Sequence, residues 1–197
     1  MDDRKFSWRD PRFTYADALT GSRLIMLPFF LYGLATRQSG LAAATLAAMI
    51  GTDLIDGRIA RRMGQARSFG AVLDSTIDFV VIYTTFTALW LIGILSWWKW
   101  AVIFFPALFM AATQILHLAH APEVAYPPVR VGKLVGQIQF VYLPLLVALA
   151  LGWRASWAPT VDRTLFAVLA AAILANTIDH IRILRSLLQG QRPAKRS

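Results

Sequence analysis

The sequence predicts an all-α integral membrane protein with six transmembrane helices and an N-terminal interfacial helix. Hydrophobic residues make up 57% of its 197 residues and charged residues only 16%, whereas soluble domains carry about 25% charged residues. The mean hydropathy is +0.53. The apolar residues also come in blocks of about 20, which is the length of α-helix that crosses a bilayer core. Composition and block length together therefore indicate a membrane protein.

The predicted elements follow in order along the chain. Residues 1–14 mix basic and aromatic side chains, which is typical of a helix lying in the membrane interface. Six apolar blocks follow, with predicted spans at about 15–36, 40–62, 69–93, 97–119, 131–151 and 160–183. The end of the chain is polar and basic. The predicted domains are a juxtamembrane segment 1–14, one six-helix membrane domain 15–186, and a basic tail 187–197.

The distribution of basic residues predicts the orientation of the spans. Six spans put both termini on one side, and that side carries fifteen Lys and Arg residues against four on the other. Because basic loops stay in the cytoplasm, both termini are predicted to be cytoplasmic. A belt of tryptophans is predicted at the opposite face: Trp97, Trp98, Trp100, Trp153 and Trp157. The net charge of +9 is thus explained by orientation and by anionic phosphate ligands, and nucleic acid is not an expected partner.

Four aspartates border the second and third predicted spans at fixed spacings. The motif positions are Asp53, Asp56, Gly57, Ala60, Arg61, Gly70, Asp74 and Asp78. Residues three or four apart share one face of a helix, so each span carries one acidic stripe. A short turn joins the two spans, which makes them antiparallel neighbours whose stripes can meet near the cytoplasmic surface. Carboxylates at the edge of hydrocarbon are costly and usually functional.

The chemistry expected of four such carboxylates is the binding of divalent cations. Carboxylate oxygens suit Mg²⁺ or Mn²⁺, and four of them can hold one or two ions. Gly57, Ala60 and Gly70 leave space for a phosphate-bearing ligand, and Arg61 and Arg67 supply positive charge to a diphosphate. His117 and His120 lie far along the chain from the aspartates and are not expected to bind metal. These observations predict a site for a metal and a diphosphate.

A membrane cation carrier is the alternative from another class, because intramembrane aspartates also mark ion pathways. That reading requires polar residues to continue through the bilayer. The third span instead continues beyond Asp78 with the apolar run Phe79-Val80-Val81-Ile82, which argues against a pathway.

The motif resembles the signature of the CDP-alcohol phosphotransferase family of membrane enzymes. The resemblance implies a homodimer, in the inner membrane of a bacterium, that transfers a phosphatidyl group from CDP-diacylglycerol to an alcohol and releases CMP. It also implies that Asp53, Asp56 and Asp74 hold a first ion and the diphosphate, and that Asp78 binds a second ion and acts as the catalytic base. The residues that the resemblance assigns to CDP-diacylglycerol are Asp53, Gly57, Ala60, Arg61, Arg67, Gly70, Asp17 and Thr20.

The first span adds a further point of similarity. Leu19-Thr20 and Arg23 resemble the first-helix pattern of phosphatidylglycerophosphate synthases, although Asp17 stands where asparagine is usual. Arg23 lies within the span, and we interpret it as a snorkelling or pairing residue rather than a catalytic one.

The acceptor alcohol is predicted from the opening of the fifth span. Gly132–Gln139 resembles the Gly-Lys-x-x-Thr-x-x-Gln stretch of phosphatidylglycerophosphate and cardiolipin synthases, with Gly136 in place of threonine. Glycerol 3-phosphate is therefore the expected acceptor. Inositol phosphate stays open as an acceptor, because Ser75 follows Asp74 where phosphatidylglycerophosphate synthases often have proline. Phosphatidylglycerol also stays open as an acceptor. The candidate residues for the acceptor phosphate are Arg130, Lys133 and Arg182, although such residues can also simply meet lipid headgroups.

Overall fold

The computed structural model describes residues 15–62, 68–120 and 130–188. Inside its helices the side chains of residues 15–17, 53–54, 56–62, 68–72, 117–120, 130 and 186–188 lie outside the description. Within the described ranges the regular elements are six α-helices, with no strand. They are α1 (Tyr15–Ala35), α2 (Ser39–Arg62), α3 (Ser68–Leu91), α4 (Trp97–His120), α5 (Arg130–Ala150) and α6 (Ala158–Leu188).

Each predicted span therefore corresponds to one helix, and the all-α membrane fold is confirmed. Four helices contain stretches long and apolar enough to cross a bilayer: Ala18–Ala35, Trp97–Leu116, Val131–Ala150 and Ala158–Arg185. Among the described side chains of α2, the apolar stretch is Ser39–Thr52, which directly precedes Asp53. Large apolar side chains such as Ile25, Phe105 and Leu174 point outwards on these helices. Such surfaces suit contact with lipid.

The C-terminal end of α6 is the clearest difference from the predicted boundaries. The helix ends at Leu188, whereas the apolar run had indicated an end near Ile183. No glycine or proline lies between Ile183 and Gly190. The helix can therefore continue into its basic end, where Arg185 lies in the last turn and interacts favourably with the negative end of the helix dipole. The interfacial segment 1–14 and residues 189–197 of the predicted tail lie outside the described residues.

The helices group into two compact units. The first contains α1, α2 and α3 with residues 150–152, and the second contains α4, most of α5, and α6. In the first unit α1 packs against both α2 and α3. The buried stripe of α1 is spaced by three or four residues: Thr20, Arg23, Leu27, Phe30 and Leu34. One side of α1 therefore faces the unit's core, and the first two members of that side are polar.

Close contact between α1 and α2 depends on Gly33. A Cβ atom at this position would lie 2.8 Å from the backbone nitrogen of Ala42, so any larger residue would force the helices apart. The turn between them uses Arg37 in the left-handed region, with φ 56°. Gln38 N–H donates to the Gly33 carbonyl at 2.8 Å and Arg37 N–H to the Leu34 carbonyl at 3.3 Å. This pattern closes the last turn of α1 as a Schellman motif.

The second unit is built around the buried face of α6, which packs against α4. From Phe166 onwards its buried residues recur every three or four positions, at Phe166, Leu169, Ile173, Asn176 and His180, and Ala158 is buried in the first turn. All five residues of the predicted tryptophan belt belong to this unit, and four of them, Trp97, Trp98, Trp153 and Trp157, are exposed. Exposure fits an interfacial position, and the membrane depth of these rings stays a prediction.

Candidate metal and nucleotide site

The carboxylates of α3 form the described part of the candidate site. Asp74 and Asp78 lie four residues apart in a continuous helix, so their side chains leave the same face on successive turns. The Asp74 side chain is 44% exposed and the Asp78 side chain 39% exposed. Both carboxylates are therefore accessible at the surface of the first unit. Like charges at this spacing repel one another.

Arg23 of α1 bonds to both carboxylates. Its Nη2 donates to Asp74 Oδ1 at 2.6 Å, and its Nη1 donates to Asp78 Oδ1. The arginine is only 3% exposed and belongs to the buried stripe of α1. A planar guanidinium offers parallel donors in a fixed fork, which matches two acceptors held one helical turn apart. Two negative charges thus share one buried positive charge.

The sequence predicts Arg23 to be a snorkelling or pairing residue, and the structure shows that it pairs. Its two partners were not predicted. A usable signal was present, however, because Arg23 lies one turn after the buried Thr20 and inside an apolar span, where a charge requires a partner. Thr20, predicted to contact CDP-diacylglycerol, is buried on the same side of α1.

The remaining predicted ligands lie on backbone that is helical but have side chains outside the described residues. The α2 helix continues to Arg62, so positions 53, 56, 57 and 60 share one side of it. The predicted residues concerned are Asp17, Asp53, Asp56, Gly57, Ala60, Arg61 and Gly70, and Arg67 lies outside the described residues altogether. The meeting of all four carboxylates therefore stays a prediction.

The described carboxylate oxygens could form part of a binding site for a hard divalent cation. Carboxylate oxygens are the ligands that Mg²⁺ and Mn²⁺ prefer, and Asp74 and Asp78 present two of them on one face. No cluster of three or more His, Cys, Asp or Glu side chains suited to a metal occurs among the described residues, which do not include the α2 aspartate side chains. The two α3 carboxylates are thus compatible with half of a four-carboxylate set.

The basic residues predicted to bind the acceptor phosphate belong to the second unit. Lys133 is exposed in the first turn of α5, and the Arg130 side chain lies outside the described residues. Arg182 is 62% exposed on its side chain and bonds to Asp179 of its own helix at 3.2 Å. Lys133 therefore has a more available charge than Arg182. Beside it, a Cβ at Gly132 would lie 3.4 Å from Asn176 Oδ1, so this glycine permits close contact with α6.

Comparison with known proteins identifies the family. The sequence profile of CDP-alcohol phosphatidyltransferases matches residues 13–177, which includes α2, α3 and the whole aspartate motif. The chain belongs to the CDP-alcohol phosphatidyltransferase family. The prediction of a membrane phosphatidyltransferase is thereby confirmed, and the alternative of a cation carrier gains no support.

Individual relatives cover most of the chain. A protein of Mycobacterium tuberculosis (strain CDC 1551 / Oshkosh) described as a probable phosphatidylglycerophosphate synthase is 34% identical over 172 residues, covering 84% of this chain and 78% of the relative. A protein of Shigella flexneri serotype 5b (strain 8401), named CDP-diacylglycerol–glycerol-3-phosphate 3-phosphatidyltransferase, is 32% identical over 195 residues. That match covers 91% of this chain and 100% of the relative. The similarity therefore extends over the full length of a known enzyme.

Proposed function

We propose that this phosphatidyltransferase uses glycerol 3-phosphate as the acceptor for the phosphatidyl group of CDP-diacylglycerol and releases CMP. The observation that supports this choice is the similarity to the Shigella enzyme, which covers its whole length. The named reaction of that relative has the same donor and acceptor. The resemblance of Gly132–Gln139 to the corresponding stretch of phosphatidylglycerophosphate synthases supports the same acceptor.

The α2 and α3 aspartates are proposed to bind one or two Mg²⁺ or Mn²⁺ ions. Asp53, Asp56 and Asp74 would hold the first ion, and Asp78 would contribute to the second. When bound, such ions polarise a diphosphate and stabilise the leaving nucleotide monophosphate. The accessible carboxylates of Asp74 and Asp78 support this proposal, because a ligand must reach them.

Asp78 is proposed to act as the general base. The acceptor hydroxyl oxygen forms a new bond to the phosphorus that carries the diacylglycerol, and the bond from that phosphorus to the CMP oxygen breaks. The hydroxyl proton passes to the carboxylate of Asp78 as the attack proceeds. Arg23 donates to Oδ1 of the same carboxylate. This contact restricts the rotation of the carboxylate about its side-chain bonds.

The nucleotide is proposed to lie beside the small residues of the motif. Gly57, Ala60 and Gly70 would leave room for the cytidine diphosphate, and Arg61 and Arg67 would neutralise its charge. Asp17 and Thr20 would contribute from α1. Lys133 is proposed to bind the acceptor phosphate, with Arg130 and Arg182 in support. Lys133 is favoured because it is exposed, whereas Arg182 already bonds to Asp179.

The setting of the enzyme is proposed on the same grounds. The excess of basic residues on one side supports cytoplasmic termini and a cytoplasmic active site. An inner bacterial membrane and a homodimer are proposed from the family resemblance. Inositol phosphate is the second candidate acceptor, and the observation in its favour is Ser75 directly after Asp74.

The test is an acceptor panel with the purified protein in detergent micelles. CMP release is measured with CDP-diacylglycerol, Mg²⁺ or Mn²⁺, and glycerol 3-phosphate, inositol phosphate or phosphatidylglycerol in turn. We expect glycerol 3-phosphate to give the fastest release and EDTA to abolish it. Faster release with another acceptor would refute the substrate assignment, and turnover that survives EDTA would refute the metal role.

A further inference from the structure

We propose that Arg23 is a positioning residue that holds Asp74 and Asp78 in the orientation needed to bind the divalent ion. The part of this inference that concerns the ion rests on the proposed metal role. The part that concerns the two carboxylates rests on contacts between described residues alone. No role for an arginine of α1 follows from the aspartate motif itself, whose residues lie on α2 and α3.

The geometry makes Arg23 the fixed member of the cluster. Its side chain is 4% exposed, whereas the side chains of Asp74 and Asp78 are 44% and 39% exposed. The Arg23 guanidinium belongs to the buried stripe of α1, so packing limits its movement. The carboxylates, in contrast, lie at the surface, where their rotamers would otherwise be free to change. Arg23 therefore restricts the carboxylates.

The charges of the three described side chains are compatible with binding of a further cation. One guanidinium faces two carboxylates, so these three groups carry a net charge of −1. The two terminal nitrogens of Arg23 donate to different carboxylates, in each case to the Oδ1 atom, and both carboxylates remain partly exposed. Arg23 thus relieves the repulsion between the two acids without neutralising them. Hydrogen-bond partners that orient ligating carboxylates in this way commonly change metal affinity by about 10–100-fold when they are lost.

The ion pair of the second unit provides a matched control. Lys99 of α4 bonds to Asp162 of α6 at 2.6 Å, and this pair has one acid for one base. Removing its basic member should affect folding stability without affecting the affinity of the α3 carboxylates for an ion. A general loss of stability can therefore be separated from a specific effect on the site.

The first measurement is Mn²⁺ affinity, read directly from the electron paramagnetic resonance signal of free Mn²⁺ in detergent micelles. We expect Arg23→Gln to raise the dissociation constant about 10–100-fold. Arg23→Lys should recover part of this loss, because an ammonium keeps the charge but cannot reproduce the fork. Lys99→Met should leave the constant unchanged. Equal affinity in wild type and Arg23→Gln, or tighter binding by the variant, would overturn the inference.

The second measurement needs no ion. Melting temperatures in EDTA are compared for Arg23→Gln, Asp74→Asn and the double variant. We expect the double variant to be markedly more stable than the sum of the two single losses predicts, because the contact is already lost in each single variant. If the two losses of stability are additive, the inference is overturned. If the Arg23→Gln protein does not fold, Arg23→Lys takes its place in the cycle. If wild type binds no Mn²⁺, the proposed metal role fails and the inference is judged on this cycle alone.

Discussion

Two ionic clusters, one in each unit, combine similar groups in different ways. In the first unit one arginine bonds to two half-exposed aspartates. In the second, Asp162 accepts from Lys99 through Oδ2 at 2.6 Å and from the Tyr142 hydroxyl through Oδ1 at 2.7 Å. There the Lys99 side chain is 13% exposed and that of Asp162 21% exposed. Among the described contacts, the second cluster pairs one acid with one base, whereas the first pairs one base with two acids.

The two clusters also differ in the residues that surround them. The Lys99 ammonium lies 5.1 Å from the centre of the Phe166 ring and 5.9 Å from that of Trp98, so aromatic faces also surround the second cluster. The α3 carboxylates face the surface instead. Buried paired charges contribute to conformational specificity in some proteins, whereas accessible carboxylates can bind a hard cation. The comparison therefore supports a structural role for the second cluster and supports the proposed cation binding by the first.

The largest expected effect separates the two clusters by activity. Asp78→Asn should lower the rate of CMP release by about 10²–10⁴-fold, because an amide cannot accept the proton of the attacking hydroxyl. Binding of CDP-diacylglycerol should survive, since Asp53, Asp56 and Asp74 are retained. Single-turnover CMP release and equilibrium binding of the donor measure the two effects. A variant that keeps its full rate would disprove the assignment of Asp78 as the base.

Much of the fold and part of the candidate site could be predicted from the sequence, because its strongest signals are local. Blocks of about 20 apolar residues predict spans directly, and eleven of the twelve helix boundaries agree with the predicted ones to within about two residues. The spacing of Asp74 and Asp78 predicted their shared face in the same way. The end of α6 was missed because the apolar run stops before the helix does.

The contacts between distant residues could not be predicted in this way. The bonds from Arg23 to the α3 carboxylates span 51 and 55 residues, and the bond from Lys99 to Asp162 spans 63. Helical periodicity indicates which side of a helix is buried, but not which neighbour it meets. A charge inside an apolar span shows that a partner must exist. Only the packing of the helices shows which residue that partner is.

The second expected effect is on stability rather than activity. Asp162→Asn should lower the free energy of unfolding by about 1–3 kcal/mol, because it leaves the Lys99 ammonium without its acid in a buried setting. Thermal unfolding in detergent should show the same loss with Mg²⁺ and with EDTA. Activity per folded molecule should stay close to that of wild type. A loss of stability that depends on the metal would contradict the division between the two clusters.

The smallest expected effect concerns the exposed basic residues of the second unit. Lys133→Ala should raise the KM for glycerol 3-phosphate about tenfold, which corresponds to about 1.4 kcal/mol. The value of kcat should change little if the lysine contributes equally to binding the substrate and the transition state. Initial rates of CMP release at a fixed, saturating concentration of CDP-diacylglycerol give both constants.

Arg182→Ala is the comparison for this last change. The Arg182 side chain is 62% exposed and already bonded to Asp179. Its charge is therefore less available to a phosphate than the charge of Lys133. We therefore expect a smaller rise in KM than for Lys133→Ala. The KM for a neutral acceptor alcohol, if one is turned over, should not change in either variant, because the lost interaction is with the phosphate. An unchanged KM for glycerol 3-phosphate in Lys133→Ala would reassign Lys133 to contact with lipid headgroups.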